Sequence, residues 1–221
     1  MKKIIITGSK GLIGSILTKN LKHYQITSID LPKHDIKDYK KLLKLFPNHQ
    51  TIIHLAWDTK TDNVNTKRIN PDNSLMFWNV YKAALESKIK RVIMASSVHA
   101  NAFYENYHKK KKMSPYSIPI PDSPYGAHKV FMESMGKFYA KKGLEVICIR
   151  FGGVIPNNKP NNKNPAERAV WLSHDDCISL TKRCIEAKEV PNKFTIIHGI
   201  SNNKKRIHSL SNPFNWKPKD K

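Results

Sequence analysis

The chain has 221 residues, 39 basic and 17 acidic side chains and a formal net charge of +22. Its hydrophobic fraction of 39% excludes a disordered chain, and its length suits one sizeable core with a small added lobe. No apolar run approaches the roughly 18 residues of a membrane span, and the opening residues lack a signal peptide's apolar region. Three cysteines without metal-binding spacing fit a cytoplasmic protein that has no metal site.

The basic residues are scattered along the whole chain, and only six of them are arginine. Proteins that read nucleic acids depend more often on arginine, which makes bidentate contacts with bases and phosphates. We therefore expect no specific nucleic-acid partner. The positive field would still favour an anionic small molecule.

Short apolar runs alternate with helical periodicity along the chain. The predicted strands are 3–6, 26–30, 51–56, 91–95, 146–150 and 194–198, and the predicted helices are 12–21, 37–46, 73–88, 125–141 and 174–187. This alternation predicts an α/β fold with a doubly wound parallel sheet. We expect a core over residues 1–153. We expect residues 154–221 to form a small C-terminal substrate lobe that returns a helix and a strand to the same domain. Residues 101–124 and 156–165 have the composition of loops, and both are candidate substrate-covering segments because each follows a strand.

The first strand is followed by a glycine-rich turn, Thr7-Gly8-Ser9-Lys10-Gly11-Leu12-Ile13-Gly14, that opens the first helix. Such a turn is also found without a ligand, but after an N-terminal strand it predicts a Rossmann-type dinucleotide site. Backbone amides from Gly8 to Gly14, Lys10 included, would then face a pyrophosphate. Asp30 ends the second strand, where a carboxylate accepts ribose hydroxyls and repels a 2′-phosphate, so NAD is favoured over NADP. Asp35, followed by Ile36, would either lie near the adenine or cap a helix.

A phenol and an amine are spaced for one helix face in Tyr125-Gly126-Ala127-His128-Lys129. An ammonium near a phenol lowers the phenol's pKa toward neutrality, which makes Tyr125 a candidate general base. Ser97 ends the preceding strand and could hold a substrate oxygen. The spacing alone is common by chance, and it gains weight from the order in which the glycine turn, Ser97 and Tyr125 occur.

Together these motifs resemble the extended short-chain dehydrogenase/reductase family, also called the NAD-dependent epimerase/dehydratase family. The matching positions also include Asp35-Ile36, His54-Leu55-Ala56, Asn73 and Ser96-Ser97. The resemblance implies Ser97, Tyr125 and Lys129 as the catalytic triad, with Lys129 also bonding the nicotinamide ribose. It further implies Leu55, Ala56 and Asn73 as cofactor-binding residues, with Asn73 also supporting the proton-relay region.

Within that family, the stretches Ala95–His99, Pro121–Gly126, Arg150–Gly152 and Trp171–Cys177 are similar to uronate and archaeal sugar-phosphate dehydrogenases. The resemblance implies oxidation of a cyclic sugar at its anomeric carbon to a lactone. The expected substrate-binding residues are Asp58, Thr59, Ser97, His99, Tyr125 and Arg168. Asp58, Thr59 and His99 could instead be local polar residues. Val98 and Gly153 depart from the relatives' Asn and Ser, and Arg168 is displaced by about two residues, which leaves the sugar open.

Two other functions remain open from the sequence. One is an NAD-dependent nucleotide-sugar 4-epimerase or dehydratase, disfavoured by the short stretch after Arg150. The other is a non-catalytic NAD-sensing or polyanion-associated protein, disfavoured by the intact triad. Apolar residues on the outer faces of helices 73–88 and 125–141, through which relatives pair, predict a homodimer (Phe77, Trp78, Phe131, Met135 and Phe138).

Overall fold

A computed structural model describes all 221 residues. Six strands form one sheet: β1 (Lys3–Thr7), β2 (Gln25–Ile29), β3 (Thr51–His54), β4 (Arg91–Ser97), β5 (Glu145–Phe151) and β6 (Phe194–Gly199). Every pair of neighbours is parallel, in the order β2-β1-β3-β4-β5-β6. The chain reverses its direction across the sheet between β1 and β3. A sheet of this type has its ligand crevice at the carboxyl ends of the strands beside that point.

Seven helices accompany the sheet: α1 (Leu12–Asn20), α2 (Tyr39–Leu45), α3 (Pro71–Glu86), α4 (Phe103–His108), α5 (Pro124–Ala140), α6 (Pro165–Ala169) and α7 (His174–Glu186). Residues of α1 and α7 contribute to the apolar core on one face of the sheet. Residues of α2, α3 and α5 contribute to the core on the other face. The doubly wound parallel sheet predicted from the sequence is therefore confirmed. None of the helices has the length and apolar character needed to span a bilayer.

The long helices begin where side chains cap them. Asn70 accepts a hydrogen bond from the Asp72 amide at the start of α3, and Ser123 accepts one from the Gly126 amide at the start of α5. A proline follows each cap, where its missing N–H costs no helix hydrogen bond. Because the cap of α5 fixes its first turn, it also fixes the direction in which Tyr125 leaves the helix.

Two features of the fold differ from the sequence prediction. Residues 101–124 contain the short helix α4, and the segment after residue 164 forms the short helix α6. The helix and strand expected near the C-terminus are present as α7 and β6, and β6 completes the same sheet beside β5. The division of the chain at residue 153 stays a prediction.

Candidate functional site

Two adjoining cavities form one cleft at the carboxyl ends of the strands. The tyrosine cavity has a volume of about 460 Å³ and is lined by Ser97, Tyr125 and Lys129. The Asp30 cavity has a volume of about 480 Å³ and is lined by Asp30, Asp35 and Ile36. Both are also lined by Gly8, Gly11, Leu55 and Trp57. The sequence therefore located both halves of the cleft.

The glycine turn makes the floor between the two cavities. Gly8 has a φ of +68°, and a Cβ there would lie 2.6 Å from the Ala56 nitrogen. A Cβ on Gly14 would lie 2.1 Å from the Gly8 carbonyl oxygen, so only glycine allows the turn to pack this closely. Gly11 precedes α1 without a side-chain cap, which leaves the first helical amides open to the cleft. This arrangement is suited to a pyrophosphate.

The turn is tied to the end of β2 through Asp30. One Asp30 carboxylate oxygen accepts the Lys10 amide at 2.7 Å, and the other accepts the Leu31 amide at 2.8 Å. The Lys10 ammonium donates to the Leu31 carbonyl at 3.0 Å and does not line either cavity. Asp30 lines the cleft with no Lys or Arg side chain bonded to it. No cation therefore neutralises the negative charge of the Asp30 carboxylate, and this charge can repel an anionic group on a ligand.

The structure separates the two predicted roles of Asp35, a place in the dinucleotide cleft and a helix cap. It lines the Asp30 cavity, while one carboxylate oxygen accepts the Lys37 amide at 2.9 Å. The cap of α2 is Asp38, which accepts the Lys41 amide. Helix capping by Asp35 itself is therefore wrong, although it does brace the turn before the helix.

Tyr125 and Lys129 share one face of α5 and both reach the tyrosine cavity. The Lys129 ammonium donates to the Ala95 carbonyl at 2.8 Å and lies 3.4 Å above the Trp57 ring. It is 5.5 Å from the centre of the Tyr125 ring. Ser97 ends β4 beside the phenol and is buried. The structure therefore brings the three predicted catalytic residues together.

The expected lowering of the Tyr125 pKa is not found, and this corrects the sequence prediction. Burial raises the pKa of Tyr125 to about 12, and the nearby Ser97 hydroxyl offsets this only in part. Burial also lowers the pKa of Lys129 to about 7, against the opposing charges of Asp62 and Glu133. Burial is thus the main cause of both shifts, and the ammonium, bonded to the Ala95 carbonyl and stacked on Trp57, makes no hydrogen bond with the phenol that would offset it.

The predicted substrate residues are divided among several places. Thr59 lines the tyrosine cavity. Asp58 lines the Asp30 cavity, where it accepts the Asn70 side-chain amide at 2.7 Å and the Lys60 amide at 3.0 Å. Although burial opposes the change, these hydrogen bonds hold the pKa of Asp58 below its ordinary value. Asp58 therefore stabilises the loop in which it lies, and it does not line the tyrosine cavity.

His99 and Arg168 have different positions relative to the phenol. The His99 ring lies 6.0 Å from the Tyr125 ring and is bonded to Asp122 at 2.8 Å, with 16% of its side chain exposed. Arg168 is exposed, bonds the Asn162 side chain, and lines neither cavity. The prediction that Arg168 reaches the substrate is wrong for this structure, because α6 directs it to the surface.

Asn73 is also not where its predicted cofactor role requires it. It is fully buried and lines neither cavity. Its side-chain oxygen accepts the Asp58 amide at 2.7 Å, and its side-chain nitrogen donates to Asp62 at 3.0 Å. Because both ends of the amide are occupied, Asn73 supports the loop behind the cleft.

Sequence reasoning missed several residues of the cleft. Trp57 lines both cavities, and its ring meets Tyr125 edge-on with the ring centres 6.0 Å apart. Its position directly after the predicted strand 51–56 was a usable signal. Gly152 and Val154 line the tyrosine cavity after β5. The loop-like stretches 101–124 and 156–165, which were candidate substrate covers, contribute no lining residue.

Comparison with known proteins gives one family and a consistent set of relatives. The sequence model described as "NAD dependent epimerase/dehydratase family" matches residues 4–173. L-arabinose 1-dehydrogenase (NAD(P)(+)) of Haloferax volcanii is 28% identical, over 100% of this chain and 97% of that protein. Uronate dehydrogenase of Pseudomonas syringae pv. tomato is 28% identical, over 91% of this chain and 75% of its own length.

A solved structure extends the likeness to three dimensions. A mutant of uronate dehydrogenase from Agrobacterium tumefaciens, complexed with NAD, superposes with a TM-score of 0.84 at 25% identity. The match covers 100% of this chain and 85% of that structure.

Proposed function

The chain belongs to the NAD dependent epimerase/dehydratase family, and from this premise we propose that it is an NAD-dependent dehydrogenase that oxidises a sugar or sugar acid at its anomeric carbon to a lactone. The observation that carries the proposal is that Ser97, Tyr125 and Lys129 line one cavity that adjoins the glycine turn. Similarity to sugar and uronate dehydrogenases over most of the chain supports the substrate class.

The cleft fits a dinucleotide at both of its ends. The first amides of α1, those of Leu12, Ile13 and Gly14, would hold the pyrophosphate. The Gly11 amide instead donates to the Gly8 carbonyl at 3.1 Å and closes the turn. Asp30 would accept the ribose hydroxyls and repel a 2′-phosphate, which favours NAD. Asp35, Ile36, Leu55 and Ala56 line the remaining wall. Bound NAD would supply the two-electron acceptor for the hydrogen removed from the sugar carbon.

Tyr125 would take the proton of the sugar hydroxyl at its phenol oxygen, with Ser97 holding the same substrate oxygen. Because burial holds the Tyr125 pKa near 12, the phenol needs a closer positive charge to act as a base near neutrality. Lys129 would supply it by turning from the Ala95 carbonyl toward the phenol and the ribose. Thr59 and His99 would contact the sugar from the cavity wall and its rim.

We propose an anionic sugar, because the chain carries a net charge of +22. The test is NADH absorbance during incubation with free aldoses, uronates, sugar phosphates and nucleotide sugars, each with NAD and with NADP. The expected result is NADH formation with a uronate or sugar phosphate at a higher kcat/KM than with neutral aldoses. Conversion of a nucleotide sugar without net NADH would instead establish the epimerase alternative. No turnover with any class would contradict a dehydrogenase function.

We propose that two copies associate through α3 and α5. Trp78, Phe131 and Phe138 are each about half exposed on these adjacent helices. Apolar side chains grouped on neighbouring helices are typical of a covered surface. Light scattering should give twice the chain mass, and Phe131→Glu should give the single-chain mass. A single-chain mass for the unmodified protein would contradict the dimer.

We propose a reducing, cytoplasmic compartment. All three cysteines are free and buried. Burial raises the pKa of Cys177 to about 12, which makes its thiol unreactive. Localisation of a tagged full-length chain in its own cells tests this, and export would contradict it.

A further inference from the structure

A fully buried carboxylate, Asp62, lies behind the cleft in the loop before α3. One of its oxygens accepts the His128 Nδ1 hydrogen at 2.6 Å and the Asn73 side-chain nitrogen at 3.0 Å. Its other oxygen is buried and has no hydrogen-bond partner. A carboxylate in this state is costly, because a buried polar atom without a partner has lost its hydrogen bonds with water and gained none in the fold. A role for the charge itself would explain why the cost is tolerated.

Asp62 is joined to the Lys129 amine through Trp57. The backbone carbonyl oxygen of Asp62 accepts a hydrogen bond from the Trp57 indole N–H at 3.0 Å. The Lys129 side-chain nitrogen lies 3.4 Å from the centre of the same indole ring. From the other side, Asp62 holds His128, the neighbour of Lys129 on α5, whose ring centre is 4.8 Å from that of Trp57. Asp62 thus holds the Trp57 ring under the Lys129 amine through its backbone carbonyl, and it holds α5, the helix that carries Lys129, through its carboxylate.

The other charged groups near Lys129 are differently placed. Glu133 on α5 is held by Arg150 in two hydrogen bonds of 2.8 Å, so its charge is compensated. The remaining titratable groups that face the amine are Tyr125 on α5, Cys148 on β5 and His54 on β3. Asp62 is bonded to no Lys or Arg, and His128 is the only basic side chain that it contacts.

We propose that Asp62 is a positioning residue for Lys129: its carboxylate holds His128, which packs on the Trp57 ring under the amine, and it supplies the negative charge that keeps the Lys129 amine protonated. The proposal rests on the proposed function only in giving Lys129 a part in the reaction. The other ring nitrogen of His128, Nε2, lies 2.6 Å from the Ser74 hydroxyl oxygen, a neutral contact that carries no charge toward Lys129.

The test is an NMR titration of the protein labelled with ¹³C in its lysine side chains, without sugar or NAD. The Lys129 signal is identified by its loss in Lys129→Met. We expect its midpoint near pH 7 in the unmodified chain. In Asp62→Asn it should fall by about one pH unit, the size that loss of one nearby charge produces. Ser74→Ala, the matched control at the far end of the network, should leave it unchanged.

An unchanged Lys129 midpoint in a folded Asp62→Asn protein would overturn the proposal. Asp62→Ser provides a second uncharged variant and should give the same downward shift if the Asn variant does not fold. As a second readout, the pH profile of kcat should shift to lower pH by about one unit in Asp62→Asn. Because the titration needs no turnover, its outcome is independent of whether any sugar is oxidised, and a failed substrate screen leaves it interpretable.

Discussion

The Lys129 amine contacts Ala95 and Trp57 in this structure, whereas the proposed reaction requires it to contact the Tyr125 phenol and the ribose. In this structure it is bonded to Ala95 and stacked on Trp57, and burial lowers its pKa to about 7. A proton-accepting Tyr125 needs that amine charged and close, since burial otherwise holds the phenol pKa near 12. The proposed reaction therefore requires that the Lys129 side chain turn toward the phenol.

Lys129→Met should reduce kcat by at least about 100-fold, because general-base catalysis typically contributes 10²–10⁴-fold. The remaining activity should increase with pH, since the buried phenol then loses its proton only in alkaline solution. Initial rates of NADH formation across a pH series measure both effects. A variant with the unmodified chain's rate and pH profile would show that the amine has no part in the reaction.

Asp30→Asn should change cofactor preference. The Asn side chain keeps an acceptor oxygen for one of the two amides that Asp30 binds, those of Lys10 and Leu31, and removes the charge that repels a 2′-phosphate. We expect the ratio of kcat/KM for NADP to that for NAD to rise about tenfold, or ~1.4 kcal/mol. Lys10→Ala is the control, because that side chain lines neither cavity. An unchanged ratio in Asp30→Asn would remove the basis for NAD selection.

The sequence identified residues whose role depends on local position. Gly14 lies in the first turn of α1, at the end of the glycine-rich turn, and Asp30 directly follows β2. Tyr125 and Lys129 follow from helix spacing, so the order of residues along the chain is sufficient to find all four. Arg168 could not be placed, because its direction depends on α6, a five-residue helix that follows an Asn/Pro/Lys-rich loop. The Tyr125 pKa could not be predicted either, since it depends on burial and on the direction of a long amine.

At the scale of elements, β1, the glycine turn and α1 form the unit that a dinucleotide would need. Gly14→Ala places a Cβ against backbone that has no room for it. We expect a loss of about 1–3 kcal/mol in unfolding free energy and a marked loss of NAD affinity. Urea denaturation and calorimetric titration of NAD measure the two effects.

Gly153→Ala is the matched control for Gly14→Ala. Gly153 also lines the cleft, but a Cβ there would meet no heavy atom within 4 Å. Its unfolding free energy should change by no more than about 0.5 kcal/mol. Equal losses of unfolding free energy in the two variants would show that the effect of Gly14→Ala does not come from crowding in the turn.

The long elements were predictable because each carries its own signal. The strands are continuous apolar runs, and α3 and α5 begin at a capping residue followed by proline. The short helices α4 and α6 were missed because helices of five or six residues are not stable alone. They form where Phe103 and Ala166 pack into a small third core, which only the folded chain contains.

At the scale of the whole molecule, buried histidines link stability to pH. Burial lowers the pKa of His54 to about 3 and that of His198 to about 4, and lowers that of His208 well below its ordinary value. Between about pH 6.5 and pH 4 the unfolded chain binds protons at these positions that the folded chain does not. The three buried histidines therefore do not lower the unfolding free energy above about pH 6.5, and they lower it progressively as the pH falls below that value.

The unfolding free energy should fall by up to ~1.4 kcal/mol per pH unit for each such histidine. His198→Asn should make this slope less steep between about pH 6.5 and pH 4, as measured by urea denaturation. His23→Gln, at an exposed position, should retain the unmodified slope. A His198→Asn protein with an unaltered slope would mean that this ring is already protonated in the fold.

The central claim is that this cleft binds NAD and that Tyr125 removes the proton of a sugar hydroxyl in it. The most direct measurement pairs calorimetric binding of NAD with single-turnover formation of NADH, in the unmodified protein and in Tyr125→Phe. We expect equal NAD affinity in the two proteins and NADH formation only with the phenol present. Failure of the unmodified protein to bind NAD, or equal NADH formation by both proteins, would contradict it.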